Sequence, residues 1–331
     1  MKINKLAFYL KKVYKDFTNP LKYQIANEYF NKELKHYYFL FDEELLLKGG
    51  SQEFYFDKEG IPIIPEYIDI STGKEKKFHY FPISIGQYGL AIFHSFLREQ
   101  SKENEERFLK IVKWFSENQN EDGTWRANVP VPKFKLKKNW ASGMAQSRGI
   151  SILLRGYQLT SNELYKKQAE KALEIFKIKV ESDGILDFYK ENPYYEEYPS
   201  KPDAPHVLNG MIFALFGLHE FSRLGNQRAK ELFDQGIKTL ENTLSEYDLG
   251  FWTKYDVADE VFKVGRNINS CTAHYHNIHI KQLEVLYNIT KNEIIKEYFE
   301  KWEKYENNKI NLLKAYFIKF KFLKQVLEVK K

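Results

Sequence analysis

Three helix–corner–helix units recur along the chain at one fixed period. Their corners fall at Thr160, Gly225 and Thr290, which are 65 residues apart by numbering (160, 225, 290). The flanks match in kind: LLRGYQLTSNELYKKQAEKAL, LFGLHEFSRLGNQRAKELF and LEVLYNITKNEIIKEYFEKW. Each reads as an apolar-striped helix, a corner of two or three residues, and a second helix. A comparable corner at Gln100-Ser101 brings the number to about four hairpins. Hairpins repeated at so long a period bury their apolar faces on their neighbours and gather their connecting loops at one end. The expectation is a mainly α fold, an (α/α) toroid or solenoid. The connections 119–140, 183–205 and 248–275 are too long to be simple links, which makes them the places to look for function.

Outside the repeat the signals are weaker. Phe54-Tyr55-Phe56 and Ile61-Pro62-Ile63-Ile64 flank Asp57-Lys58-Glu59-Gly60, the pattern of a hairpin with a glycine-containing loop. Residues 1–80 are therefore expected to form an N-terminal arm with a small β region. Residues 81–307 would carry the helical hairpins. Residues 308–331, with KINLLKAYFIKFKFLKQVLEVKK at their heart, would form a basic amphipathic helix. Such a helix either docks on the domain with a solvated lysine face or lies on anionic lipid, where each lysine contributes roughly 1 kcal/mol.

Charge and composition exclude several classes. The net charge is +6, yet Lys309–Lys331 alone holds seven lysines against Glu328, or 7 − 1 = +6, so the remainder is formally neutral. A nucleic-acid-binding face would spread its charge over the fold, and none is expected. The single cysteine, Cys271, rules out an internal disulfide and fits a reducing compartment. The N-terminus lacks the apolar run of roughly 7–15 residues that marks a secretory signal. No stretch approaches the ~20 apolar residues of a membrane span. A cytoplasmic protein is expected, and, if the C-terminal helix lies on lipid rather than docking on the domain, that helix would be its contact with the inner membrane. The 23 tyrosines and 26 phenylalanines suit either an AT-rich coding sequence or a protein that stacks rings on sugars.

Two of the long connections carry dense polar chemistry. Tyr189–Gly210 reads YKENPYYEEYPSKPDAPHVLNG, with Glu196 and Glu197 among tyrosines and four prolines. The glutamates are either solvated on a proline-fixed loop or part of a proton-transfer site. Tyr255–Gln282 reads YDVADEVFKVGRNINSCTAHYHNIHIKQ and runs into an amphipathic helix. Polar groups this dense are costly to bury unless they face one another or a ligand. Cys271, His274, His276 and His279 could ligate zinc, but their crowded spacing matches no common zinc site. No metal and no cofactor is expected.

Four stretches, in this order, resemble the D-glucuronyl C5-epimerases: YFPISIGQYGL, NWASGMAQSRGISILLRGYQLT, YEEYPSKPDAPHVLNGMIFALFGLHE, and YD…RN…YHNIHIKQL. The likeness covers roughly 80–305. It implies an incomplete (α/α) toroid and the inversion of C5 of glucuronic acid within a heparosan- or heparan-type polysaccharide. It also implies four catalytic positions, Glu197 and Tyr198 of YEEYP, Tyr255 of YD and Tyr275 of YH. Cleft-lining positions match at Gln87, Tyr88, Trp140, Gln146, Arg266, Asn267, His276 and His279. A homodimer is a weaker implication of the same kind. Two departures stand out. Animal members follow YDL with an arginine where this chain has Val257 and Ala258, so that contact is absent or taken over by Arg266. His274 stands where those members carry an aspartate.

The reaction suits these side chains. The C5 hydrogen lies α to a carboxylate, so its removal builds a dianionic enolate that needs positioned donors or cations, for which Arg266, Asn267 and a histidine are candidates. Inversion needs one group to take a proton and another to deliver one on the opposite face. A tyrosine with its ordinary pKa near 10 is a weak base at neutral pH unless a cation lowers it. Tyrosines are therefore expected on both faces, with Glu197 orienting one or acting as a base itself. The rival readings are a uronate lyase, in which the same proton abstraction is followed by β-elimination, and a non-catalytic glycan-binding toroid.

Overall fold

The repeat is built on a recurring corner that the computed structural model shows in atomic detail. Residues 11, 13–49, 55–66, 76–261 and 267–328 are described. Helix α1 spans Glu43–Gly49, and four helical hairpins follow it. These are α2 (Pro82–Glu99) with α3 (Lys102–Glu117), α4 (Gly143–Thr160) with α5 (Glu163–Lys171), α6 (Leu208–Arg223) with α7 (Gln227–Thr243), and α8 (Ala273–Thr290) with α9 (Glu293–Glu306). A last helix, α10, spans Lys309–Glu328. The fold is mainly α, as expected.

In three hairpins the first helix ends on a left-handed residue, Gln100, Ser161 or Lys291, whose N–H donates to the carbonyl of Phe96, Tyr157 or Tyr287. The next residue then caps the second helix. Ser101 accepts from the Asn104 N–H, Asn162 from Leu164, and Asn292 from Ile294 and Ile295. Each cap satisfies backbone donors that a helix start otherwise leaves open. Threonine adds to the corner in two hairpins: the Thr160 and Thr290 hydroxyls donate to Gly156 and Leu286 carbonyls and accept from the Asn162 and Asn292 N–H groups. The remaining corner uses Gly225 at φ +88°, where a side chain would be strained, followed by Asn226 as the cap for Ala229.

The chain divides into two compact units. The larger comprises Gln24–Pro202 and Gly210–Ile237; the smaller comprises Met1–Tyr23, Asp203–Asn209 and Lys238–Lys331. In the larger unit α2 and α3 pack on each other and on α4, which pairs with α5. Residues well before the first hairpin enter this core: Tyr37, Tyr38 and Phe39 are buried, and the Tyr38 ring lies 4.6 Å from Phe216 of α6. Arg155 of α4 and Glu220 of α6 form a fully buried ion pair with Nη2–Oε1 at 2.6 Å and Nη1–Oε2 at 3.1 Å. Three short antiparallel strands, β1 (Tyr55–Phe56), β2 (Pro62–Pro65) and β3 (Phe78–Tyr80), pair Tyr55 with Ile63 and Ile63 with Tyr80. The smaller unit is organised by α8 against α9, with α10 beside α9.

Candidate functional site

The first set of motif residues lies in the larger unit and is held by a β-hairpin inside the 183–205 connection. Strands β4 (Leu186–Tyr189) and β5 (Asn192–Tyr195) pair antiparallel through a turn at Lys190 and Glu191, both at positive φ. The chain leaving β5 is then pinned. The Glu196 N–H donates to the Ile185 carbonyl at 2.8 Å, and the Glu196 carbonyl accepts from Gly143, the first residue of α4, at 2.8 Å. Tyr195 anchors the other side, its hydroxyl donating to the Leu232 carbonyl at 3.0 Å.

This pinning buries Glu197, which is 5% exposed. Gly210 of α6 is what makes room for it, because a Cβ there would lie 2.3 Å from the Glu197 Cβ and 2.4 Å from its Oε2. Among the described residues, Oε2 has no hydrogen-bond partner. Burial pushes the carboxyl up to about 7, while the Tyr198 hydroxyl and the charges of Lys133 and Arg148 pull the other way. Tyr198 is half-buried, with its ring 4.6 Å from Phe134 and 5.6 Å from Trp140. Trp140 is fixed in turn by its indole N–H, which donates to the Val129 carbonyl at 2.9 Å. Glu197, Tyr198 and Trp140 thus form one connected cluster.

The other motif residues of this unit have different surroundings. Gln87 is the one position of the first two turns of α2 that is not buried, and its amide is free among the described residues. Tyr88, one residue on, points its hydroxyl to Glu43 at 3.1 Å and receives an N–H from Arg107 at 2.9 Å. It lines a cavity of about 290 Å³ with Phe56, Ile92, Arg107 and Lys110. Gln146 differs from its expected role as a ligand contact. It is wholly buried, accepting from the Trp125 N–H at 2.9 Å and donating to the Gly123 and Ala172 carbonyls at 3.1 and 3.3 Å. Its amide therefore clamps the Asp122-Gly123 turn.

The second set lies in the smaller unit. The Tyr255 and Tyr275 rings meet edge to face, 4.8 Å apart at 77°, and Tyr275 remains half-buried. Tyr255 is held by its backbone, its N–H donating to the Asn269 carbonyl at 2.7 Å. The Lys319 ammonium of α10 lies 5.8 Å from the Tyr255 ring centre. That lysine donates to Asn269 Oδ1 at 2.5 Å, and Asn269 donates on to the buried Asp256 at 2.5 Å. His274 touches both Tyr275 and Tyr23, with ring centres 5.2 and 5.4 Å away.

Lys319 was not among the residues singled out from the sequence. The signal was present, because Leu312, Ala315, Lys319 and Phe322 recur at helical spacing and the other three are buried. A lysine in an apolar stripe is a lysine facing inward.

The histidines expected to line a cleft are instead packed inside the helix pair. His276 is fully buried, stacked on Trp252 with ring centres 3.7 Å apart. Its Nε2 lies 3.1 Å from the Trp302 carbonyl, which can only accept, so Nε2 carries the proton and Nδ1 accepts from the Thr253 hydroxyl at 2.8 Å. Burial holds His276 well below its ordinary pKa and His279 down to about 3. Both are neutral packing groups, and both ring nitrogens of His276 are taken by protein partners, which leaves it none for zinc. Asn267 is exposed and tied to α10, its N–H donating to Gln325 at 2.7 Å and its amide to the Lys321 carbonyl at 3.3 Å. Arg266 lies outside the described residues.

Several known proteins are similar to this chain. It is 31% identical over 246 residues to the D-glucuronyl C5-epimerase of Caenorhabditis elegans, an alignment that takes in 69% of this chain and 39% of that protein. It is 29% identical over 285 residues to an uncharacterized protein of Methanocaldococcus jannaschii, covering 80% of this chain and 89% of the relative. Among solved structures, the unsaturated glucuronyl hydrolase of Bacillus sp. GL1 aligns with a TM-score of 0.46 at 13% identity, over 70% of this chain and 61% of that one. The family model for the D-glucuronyl C5-epimerase C-terminus matches residues 119–304, which is more than half of the 331 and contains Glu197, Tyr198, Tyr255 and Tyr275. The chain belongs to the D-glucuronyl C5-epimerase C-terminus family.

Proposed function

We propose that this chain inverts C5 of glucuronic acid residues within a heparosan-like polysaccharide by abstracting the C5 proton and delivering another to the opposite face. Glu197 carries the reading. A carboxyl near 7 is ionised in about half of the molecules at neutral pH and can exchange a proton with little loss of driving force. An exposed glutamate, near 4.3, would be a far weaker base. The Tyr255–Tyr275 pair supports the same reading, with the Lys319 ammonium 5.8 Å from the Tyr255 ring centre.

The test is incubation of the protein with heparosan in deuterated water, followed by NMR of the polymer and absorbance near 232 nm. Deuterium at C5 together with iduronate signals is the expected result. A rise in absorbance without iduronate would replace epimerisation by β-elimination. Neither signal from a protein that still binds the polymer would make it a glycan-binding module. Tyr275→Phe sharpens the last distinction: an epimerase loses about 10²-fold or more in turnover with polymer affinity kept, since only the transferable proton is removed.

A further inference from the structure

We propose that the outward face of α10 docks on an anionic lipid bilayer. The helix has two opposed faces. Leu312, Ala315, Tyr316 and Phe322 are buried, and the Ala315 carbonyl accepts from the Ser270 hydroxyl at 2.6 Å while Tyr316 donates to Asp16. The inner face is thereby fixed to the rest of the smaller unit. On the outer face Ile310, Leu313 and Phe317, spaced i, i+3, i+7, are 62%, 58% and 64% exposed. Exposed lysines border this stripe at 309, 314, 321 and 324, and the Lys321 ammonium lies 4.6 Å from the Phe317 ring centre.

Three large apolar side chains in a row on one helix face mark a surface that something covers. The charge around them says what. Residues 309–327 contain no acid, and Asp16, which Tyr316 bonds, is buried. An apolar stripe edged by lysines is the design of a helix lying in the plane of a bilayer, ring and aliphatic groups among the acyl chains and ammonium groups at anionic headgroups. A second copy of the chain fits poorly, since two-fold pairing of this face sets lysines against lysines. An anionic polysaccharide would satisfy the lysines and leave Ile310 and Leu313 uncovered. Among the described residues no helix is long and apolar enough to cross a membrane, so α10 would lie on the bilayer.

The experiment is vesicle flotation of the full chain with phosphatidylglycerol/phosphatidylcholine mixtures against phosphatidylcholine alone. Binding at least about tenfold stronger to the anionic vesicles, weakened by salt, is expected. The triple variant Ile310→Ser, Leu313→Ser, Phe317→Ser should fall to the neutral-vesicle level with its circular dichroism unchanged. Lys314→Glu with Lys321→Glu, both at exposed positions, should lose binding in the same way and keeps the test valid if the triple variant misfolds. Equal binding to both vesicle types, or none, overturns the proposal. So does a solution dimer that the apolar triple variant converts to monomer. None of these readouts depends on the reaction proposed above.

Discussion

The connection at 194–200 and the opening turns of α8 at 273–279 both bury ionisable side chains in motif segments, with opposite consequences. Glu197 enters a space shaped by Gly210 with one carboxylate oxygen unbonded, and its pKa rises to about 7. His276 enters a space where both ring nitrogens find partners, and it is held neutral. Burial by itself does not mark a working group. A buried polar group left partly unsatisfied costs stability, and that cost is tolerated where the group has a task. Burial with full satisfaction is the ordinary state of a core residue.

The largest break in this comparison should come from Glu197→Gln. It keeps shape and removes the exchangeable proton, so turnover should fall about 10²- to 10⁴-fold with the fold intact, as steady-state kinetics and circular dichroism would report. Turnover within a few-fold of the parent would remove Glu197 from the chemistry.

Stability against pH should separate the two regions by sign. Glu197 has a raised folded pKa, so between about 4.5 and about 7 the folded chain keeps a proton that the unfolded chain has lost. Its contribution therefore falls as pH rises through that window, by up to about 3 kcal/mol. His279 is the mirror case. Its folded pKa is depressed to about 3, so its contribution is present above 6.5 and is lost as pH falls from there toward 3. Thermal melts from pH 4 to 8 should show Glu197→Gln flattening the loss on the neutral side and His279→Gln flattening the loss on the acid side. Parallel curves for both variants would contradict the assignment.

The smallest effect should come from His276→Ala. Removing the ring's bonds to the Trp302 carbonyl and to the Thr253 hydroxyl, which keeps His279 as a partner, should cost about 1–3 kcal/mol in urea unfolding, while kcat/KM of the folded protein stays unchanged. A selective loss of kcat/KM without a stability change would turn the comparison over and return His276 to the cleft.

Much of the fold was legible because its signals are local. Thr160, Asn162, Thr290 and Asn292 cap helices within a few residues of themselves, and such contacts repeat wherever the sequence does. The β4–β5 hairpin was not legible, because its turn residues are Lys190 and Glu191, where positive φ would normally call for Asn-Gly or Gly. Glu197, Tyr198 and the Tyr255–Tyr275 pair were singled out by motif, and each falls at a partly buried cluster. Gln146, His276 and His279 were singled out by the same means, yet they are packed within the core, where Gln146 and His276 have partners for their polar side-chain atoms and His279 Nε2 has none among the described residues. Their residue types gave no hint of the difference.

The sequence by itself determined the hairpin repeat, the long connections that hold the motif residues and the family, since these rest on periodicity and on motifs read within one segment. Only the tertiary structure decided what surrounds each of these polar groups. That outcome depends on what a distant segment presents: Gly210, Lys133 and Arg148 to Glu197, Lys319 to Tyr255, and the Trp302 carbonyl to His276. A side chain's pKa and its unmet hydrogen bonds are properties of its surroundings, and those surroundings exist only once the chain has packed.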